Sequence, residues 1–340
     1  MRSEVGIRDV AAAAGVSVGT VSNVLNRPGS VAEATRERVL LHMRELGFVR
    51  NESARLLRAG RSRMLGLVVL DVGNPFFTDV ARGVEEEAQA AGLAVLLCNT
   101  DDRPDKEQRY LELLEEQRVQ GVLVTPTDEA APHLAAMRGR GMPVVLVDRH
   151  GDLEDACSVS VNDLAGGEQV VEHLRHQGHR RVAFVGGPFS LPQVRQRHEG
   201  AVKAAGDAVV LTDVVTDGLN VAQGRLAAEQ LLARSSRSRP TAAFCANDLL
   251  ALGLLQRLVQ AGVRVPQDVA IVGYDDIEFA AAAAVPLSSV RQPREQLGRA
   301  AARLLIEEAR PAGHEHRRLV FEPELVVRAS SEHRRRGAPA

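Results

Sequence analysis

A chain of 340 residues is long enough for two or three domains, each with a proper core. Its 45% apolar and 25% charged residues suit a water-soluble globular protein, and no run approaches the roughly eighteen apolar residues of a membrane span. The net charge of −2 conceals an asymmetry: residues 1–63 hold eleven arginines against six acids, net +5, and the remainder holds 31 basic against 38 acidic groups, net −7. A small basic head on an acidic body fits a phosphate-binding module joined to something else. The first residues contain no apolar signal core, which points to the cytoplasm.

In the head, Ile7, Val10, Ala11 and Ala14 recur at i, i+3, i+4 and i+7, one face of a short helix. Gly15 supplies a left-handed residue to end it, and Ser17 an N-cap for a second helix with Val21, Val24 and Leu25 inside. Two short helices joined by a tight glycine-containing turn make a helix-turn-helix, which lays its second helix in the DNA major groove. An ordinary helical hairpin shares this spacing. The outer face of the second helix carries Val18, Gly19, Thr20, Ser22 and Asn23, small or hydrogen-bonding groups suited to DNA.

Ser30-Val31-Ala32-Glu33 reads as a capping box that starts a third helix near Ala32, with Val39, Met43 and Leu46 on one face and Gly47 at its end. The segment from Asn51 to Arg58, stopped by Gly60, is shorter than the about 12–15 residues an isolated helix needs in water. It is therefore expected to be a linker that becomes helical only when held. Arg58, Arg61 and Arg63 make it basic, and Leu57 is an apolar wedge candidate for a minor-groove base step.

From Met64 onward, β-branched runs alternate with amphipathic stretches. The runs are 65–70, 94–98, 121–125, 144–147, 181–185, 242–245 and 269–272, with helical patterns such as 77–91, 164–177 and 249–261 between them. Such alternation predicts parallel sheets covered by helices on both faces, in two blocks divided near Val161. Cys98, Cys157 and Cys245 fall in or near these apolar runs without a CxxC, and read as core thiols with no disulfide framework or zinc cluster.

Ligands in open sheets of this class bind beyond the carboxyl ends of the strands, and polar residues gather there. After Leu70 comes Asp71-Val72-Gly73-Asn74-Pro75-Phe76-Phe77, after Val147 comes Asp148-Arg149, after Cys245 comes Ala246-Asn247-Asp248, and after Val272 comes Gly273-Tyr274-Asp275-Asp276. Arg197 and Gln292 occupy equivalent loop or helix-start positions. Any one of these is ordinary turn or cap chemistry. Together, carboxylates, amides, guanidinium groups and aromatic faces are what a sugar needs.

The stretch IRDVAAAAGVSVGTVSNVLN, followed by VAEATRERVLLHMRELGFVRNESARLLRAG, resembles the head of the lactose-repressor (LacI/GalR) family, and the body is similar to that family's effector domain and to periplasmic sugar-binding proteins. The resemblance implies that Val18, Gly19 and Asn23 read bases and that Ser17, Thr20, Ser22, Asn26 and Thr35 contact phosphates. It further implies a hinge helix on DNA, with Asn51, Ala54 and Arg58 in its DNA-binding set and Leu57 inserted at the centre of a palindromic operator. Arg50 departs from the family's usual proline before the hinge. Asn74, Phe76, Phe77, Asp148, Arg149, Arg197, Asn247, Asp275 and Gln292 fall on the family's ligand positions. The set is most similar to pentose (ribose-type) sites, although Leu219 stands where many relatives place an aromatic.

The implied organisation is an all-α helix-turn-helix head (1–50), a hinge (51–63) and an α/β body of two doubly wound parallel-sheet subdomains of periplasmic-binding-protein type I (64–332). The N-subdomain would take about 64–162 plus 293–321, the C-subdomain about 163–290 plus 322–332, and 333–340 would be a tail. The implied function is a homodimeric transcriptional regulator, a repressor, on near-palindromic double-stranded DNA, controlled by a small sugar and using no cofactor, metal or membrane. The tail after Leu325 lacks leucine heptads, so no tetramerising coiled coil is expected.

A sugar-binding protein without a gene-regulatory role would share the body but needs no basic helical head. An enzyme is not expected, because Asp275 and Asp276, adjacent in sequence, do not by themselves supply an acid/base pair. Gly15-Val16-Ser17-Val18-Gly19 matches a hydrolase nucleophile elbow but follows a helix, not a strand. His173, His176 and His179 have metal-like spacing without a completing carboxylate or cysteine. No G-x-G-x-x-G or P-loop occurs.

Overall fold

The computed structural model of the chain describes residues 5–49, 62–127, 132–149, 156–235, 237–310 and 313–332. The hinge positions Asn51, Ala54, Leu57 and Arg58, with Arg50, lie outside the described residues. The chain divides into two compact units, one ending at Ser62 and the other beginning at Arg63.

In the first unit, α1 (Ile7–Ala14) and α2 (Val18–Asn26) meet across Gly15, whose φ of 63° is the left-handed conformation that lets the chain turn without a Cβ clash. Ser17 caps α2, its Oγ accepting from the Thr20 amide at 3.0 Å. Val10, Ala11, Ala14, Val21 and Val24 close a small core with Val39 and Met43 of α3 (Glu33–Glu45). The start of α3 differs from expectation. Its N-cap is Ala32 without a side-chain bond, and the Ser30 hydroxyl instead donates to the Arg27 carbonyl at 2.7 Å, closing a 3₁₀ turn over Pro28–Ser30. Pro28 and Gly29 form that local turn, and the serine completes it.

The second unit holds two six-stranded sheets. One contains β1 (Met64–Val69), β2 (Ala94–Asn99), β3 (Val122–Val124), β4 (Val144–Val147) and β5 (Cys157–Val161), with the late strand β11 (Arg318–Phe321) on its edge. The other contains β6 (Arg181–Gly186), β7 (Val210–Val215), β8 (Ala242–Cys245), β9 (Ala270–Asp275) and β10 (Ser288–Arg291), edged by β12 (Glu324–Val326). All registered pairs are parallel except β10 with β12. Helices α4 (Pro75–Ala90), α5 (Pro104–Glu116), α6 (Pro132–Gly139), α7 (Asp163–His176), α8 (Pro192–Ala205), α9 (Val221–Leu232), α10 (Asp248–Gln260), α11 (Glu278–Ala282) and α12 (Arg294–Glu308) cover them. Both faces of the central strands are buried, which explains their unbroken apolar runs. No described helix is long and apolar enough to cross a membrane.

Three helix pairs touch backbone to backbone through reciprocal glycines. A Cβ on Gly83 of α4 would sit 2.1 Å from the Glu295 carbonyl oxygen of α12, and one on Gly298 of α12 would sit 2.1 Å from that of Val80. Gly167 of α7 and Gly200 of α8 face Arg197 and Leu164 in the same way, as Gly224 of α9 and Gly253 of α10 face Leu250 and Val221. Gly167→Ala should therefore push α8 off α7 and cost about 1–3 kcal/mol. Gly139→Ala, with open space around its Cβ, should cost nothing. Urea denaturation of the two variants checks this, and equal midpoints would refute the packing argument.

Candidate functional site

The carboxyl ends of strands from both sheets open onto a cavity of about 400 Å³. Asn74 caps α4, its Oδ1 accepting from the Phe76 amide at 3.0 Å, and its Nδ2 donates to Asp275 Oδ2 at 3.2 Å across the cleft. Phe76 and Phe77, packed edge to face with ring centroids 5.0 Å apart, form an apolar wall. Asp148 follows β4. The Gln193 amide donates to its carbonyl at 2.6 Å and to its Oδ2 at 3.1 Å, leaving Asp148 Oδ1 and Gln193 Oε1 buried without a hydrogen-bond partner.

Arg197, on α8, is buried. Its Nε donates to Asp163 Oδ1 at 2.7 Å and its Nη1 to the Ala246 carbonyl at 2.7 Å, and the guanidinium lies 3.8 Å from the centre of the Tyr274 ring. Asn247 caps α10 by accepting from the Leu250 amide at 2.9 Å, and its Nδ2 reaches the Leu219 carbonyl at 2.9 Å. Leu219 lines the cavity from the loop after β7.

Two expected residues stand apart from the lining. Gln292 donates to Asp275 Oδ1 at 2.7 Å and is not among the residues that line the cavity. Arg149 is buried but does not line the cavity. Sequence reasoning also passed over residues that do. Asp101 and Asp102 follow β2 as Asp148 follows β4, so the strand-end rule would have found them. Gln193, in the first turn of α8, gave no such signal.

The backbone marks the same place. Of the six non-glycine residues with positive φ among the described residues, five are aspartates: Asp101, Asp102, Asp148, Asp275 and Asp276. The first four line the cavity. Strained conformations of this kind persist where surrounding structure holds them, and they gather at binding sites. Asp276 has a holding role instead, accepting from Arg291 Nε at 2.8 Å and Arg328 Nη1 at 2.6 Å.

Burial pushes the Asp148 carboxyl well above the usual carboxylate range, and nearby Asp163 and Asp275 push it further against the pull of Arg197. Burial also raises Asp275, opposed by Arg197 and by the amides of Asn74 and Gln292. At Arg197 burial works against the cation, but Asp163, Tyr274, Asp275 and Asp148 outweigh it and keep the guanidinium charged. An acid whose pKa rises on folding loses stability as pH rises from about 4 through its raised native value. Asp148→Asn should therefore melt higher than the parent at pH 8, by roughly 2–4 °C per kcal/mol, and the gap should close toward pH 4. Melting curves across that range check it; a gap independent of pH would show that Asp148 is not the source.

The outer face of α2 presents exposed Val18, Gly19 and Asn23, with Thr20 and Ser22 half-buried. Ser17 and Thr20 share a hydroxyl contact at 2.9 Å, and Asn26 Nδ2 donates to the Ser22 carbonyl at 2.9 Å. Thr35 is half-buried in the first turn of α3. Among the histidines, His173 pairs with Ser331 and His179 with Thr241, so the three do not converge on one point. The G-x-S-x-G stretch spans the α1–α2 turn, with no strand before it.

Residues 6–51 match the family described as bacterial regulatory proteins, lacI family, and residues 171–331 match a periplasmic binding protein-like domain. The chain is 34% identical over 332 residues to the HTH-type transcriptional repressor PurR of Aliivibrio fischeri (strain ATCC 700601 / ES114), covering 96% of this chain and 98% of that protein. It superposes on the lac repressor dimer bound to operator and the anti-inducer ONPF with a TM-score of 0.84 at 25% identity, covering 97% and 99% of the two chains. A LacI family regulator from Enterococcus faecalis V583 with bound ribose gives a TM-score of 0.72 at 26% identity, covering 79% and 98%.

Proposed function

Because this chain belongs to the lacI family and is a DNA-binding transcriptional repressor controlled by a small molecule, not an enzyme, we propose that its effector is a pentose-sized sugar held in the cleft between the two sheets. The observation that carries this reading is the pairing of unpartnered acceptors with an apolar wall. Asp148 Oδ1 and Gln193 Oε1 are buried and lack donors, and Phe76 and Phe77 line the same cavity. Sugar hydroxyls supply donors, and the flat C–H face of the ring covers phenyl groups. A cavity of about 400 Å³ suits a ligand of that size. The ribose complex of the Enterococcus regulator supports the same class.

In this proposal Asn74, Asp148, Arg197, Asn247 and Asp275 bind hydroxyls, and Leu219 closes an end of the site. Occupancy changes the angle between the sheets, and through the segment joining body to head it changes operator affinity. Such coupling is typically worth about 1–3 kcal/mol. Two heads of a homodimer read the two halves of a near-palindromic operator, Asn23 of each facing base edges and Ser17, Thr20 and Ser22 facing phosphates.

A thermal-shift screen of ribose, a hexose, a disaccharide and a nucleoside should give its largest shift with the pentose, and Asp275→Asn should abolish it. A retained shift in that variant would overturn the cleft assignment. On operators selected from random DNA, Asn23→Ala should lower specific affinity by about 1–3 kcal/mol while leaving non-specific binding and its salt slope unchanged. Equal loss on both kinds of DNA would remove its base-reading role.

A further inference from the structure

We infer that the body carries a zinc site, distinct from the cleft, built by Cys157, Glu308, His314 and His316. Cys157 opens β5, Glu308 ends α12, and the two histidines lie in the connection from α12 to β11. One ligand atom from each lies within 4.8 Å of the others. Cys157 Sγ is 3.0 Å from His314 Nε2 and 3.9 Å from His316 Nδ1, and the two imidazoles meet edge to face with centroids 5.4 Å apart.

Bonds of about 2.0–2.3 Å from a tetrahedral zinc to sulfur, nitrogen and oxygen put neighbouring ligand atoms roughly 3.3–3.8 Å apart. The Cys157–His314 and Cys157–His316 separations of 3.0 and 3.9 Å bracket that range, and no pair in the set exceeds 4.8 Å. A second observation points to a cation. Glu308 Oε2 is buried with no hydrogen-bond partner, which is costly for a carboxylate oxygen even though the Val144 backbone and the charge of Arg138 also act on this half-buried carboxylate.

The charges balance, since a thiolate and a carboxylate neutralise Zn²⁺ and the imidazoles bind neutral. The Arg317 amide donates to Cys157 Sγ at 3.3 Å, the outer-shell bond that orients a metal-bound thiolate. Soft sulfur with two imidazoles and one carboxylate favours zinc over magnesium or calcium. The ion would fasten the connection before edge strand β11 to its neighbour β5. It would lie at the amino ends of the strands, the end opposite the cleft. The sequence, with no CxxC, reads Cys157 as a core thiol outside any zinc cluster; its partners here come some 150 residues later.

The test uses untagged full-length protein stripped with a chelator, then titrated with Zn²⁺ alone against a chromophoric competitor, and with Co²⁺ as a spectroscopic stand-in. One ion per chain is expected, with sulfur-to-cobalt charge-transfer absorption and the visible bands of tetrahedral cobalt. Cys157→Ser should remove the charge-transfer band, and His316→Ala, at an exposed position, should weaken binding more than roughly tenfold. His173→Gln should change neither. Failure of the stripped wild-type chain to take up zinc stoichiometrically overturns the proposal, as does undiminished binding in His316→Ala even if the cysteine variant does not fold.

Discussion

The Asp275 carboxylate, buried at the end of β9, is the point on which the two halves of the body depend. Gln292 and Asn74 each donate to one of its oxygens, the latter from the opposite sheet's first helix. Arg294, at the start of α12, donates to the Asp275 and Asp276 carbonyls and, at 2.8 Å, to Asp79 of α4. One short turn therefore receives partners from both sheets. Its positive φ values at Asp275 (106°) and Asp276 (52°) are held by this surrounding network. The Asn74 bond joins residues of the two sheets across the cleft.

Around this turn the electrostatics are left incomplete. Asp148, Asp163 and Asp275 share one guanidinium, Arg197, and all four groups are buried. Asp163 has a direct bond to it, Asp275 is held by amides, and Asp148 keeps an oxygen with no donor. Asp248, close by, is a useful contrast. Although burial raises its carboxyl too, Ser289 Oγ donates at 2.6 Å and the Ile277 amide at 2.9 Å, so both its oxygens are satisfied. Asp248 is therefore suited to holding structure and Asp148 to receiving a ligand, because a buried group lacking a partner gains most when one arrives.

Much of this was legible along the chain, and the exceptions have physical causes. Strands β1, β4 and β8 announce themselves as unbroken apolar runs because both their faces are covered. Strand β5 is just as buried but alternates with Ser158 and Ser160, whose hydroxyls disguise it as a loop. The edge strands β11 and β12 are short and half-exposed and carry little signal. Ser30 looked like a cap because its spacing to Glu33 was right, but a nearer carbonyl took its hydroxyl. Asn74, Asp148, Asn247 and Asp275, named from strand ends, line the cavity and Arg149 does not, whereas Gln193, on a helix, and the convergence on Cys157 depend on tertiary neighbours that no local pattern encodes.

The placement of β11 and β12 has a consequence for biogenesis. Each sheet receives one edge strand from residues 318–326, after every other strand of both sheets. Neither lobe can be finished while the ribosome is still translating the other, so the usual order of amino-terminal domain first is closed to the body. The three-helix head, complete by residue 49, is free of that restriction. A nascent chain of this protein thus carries its DNA-reading module to maturity well before the lobes that govern it.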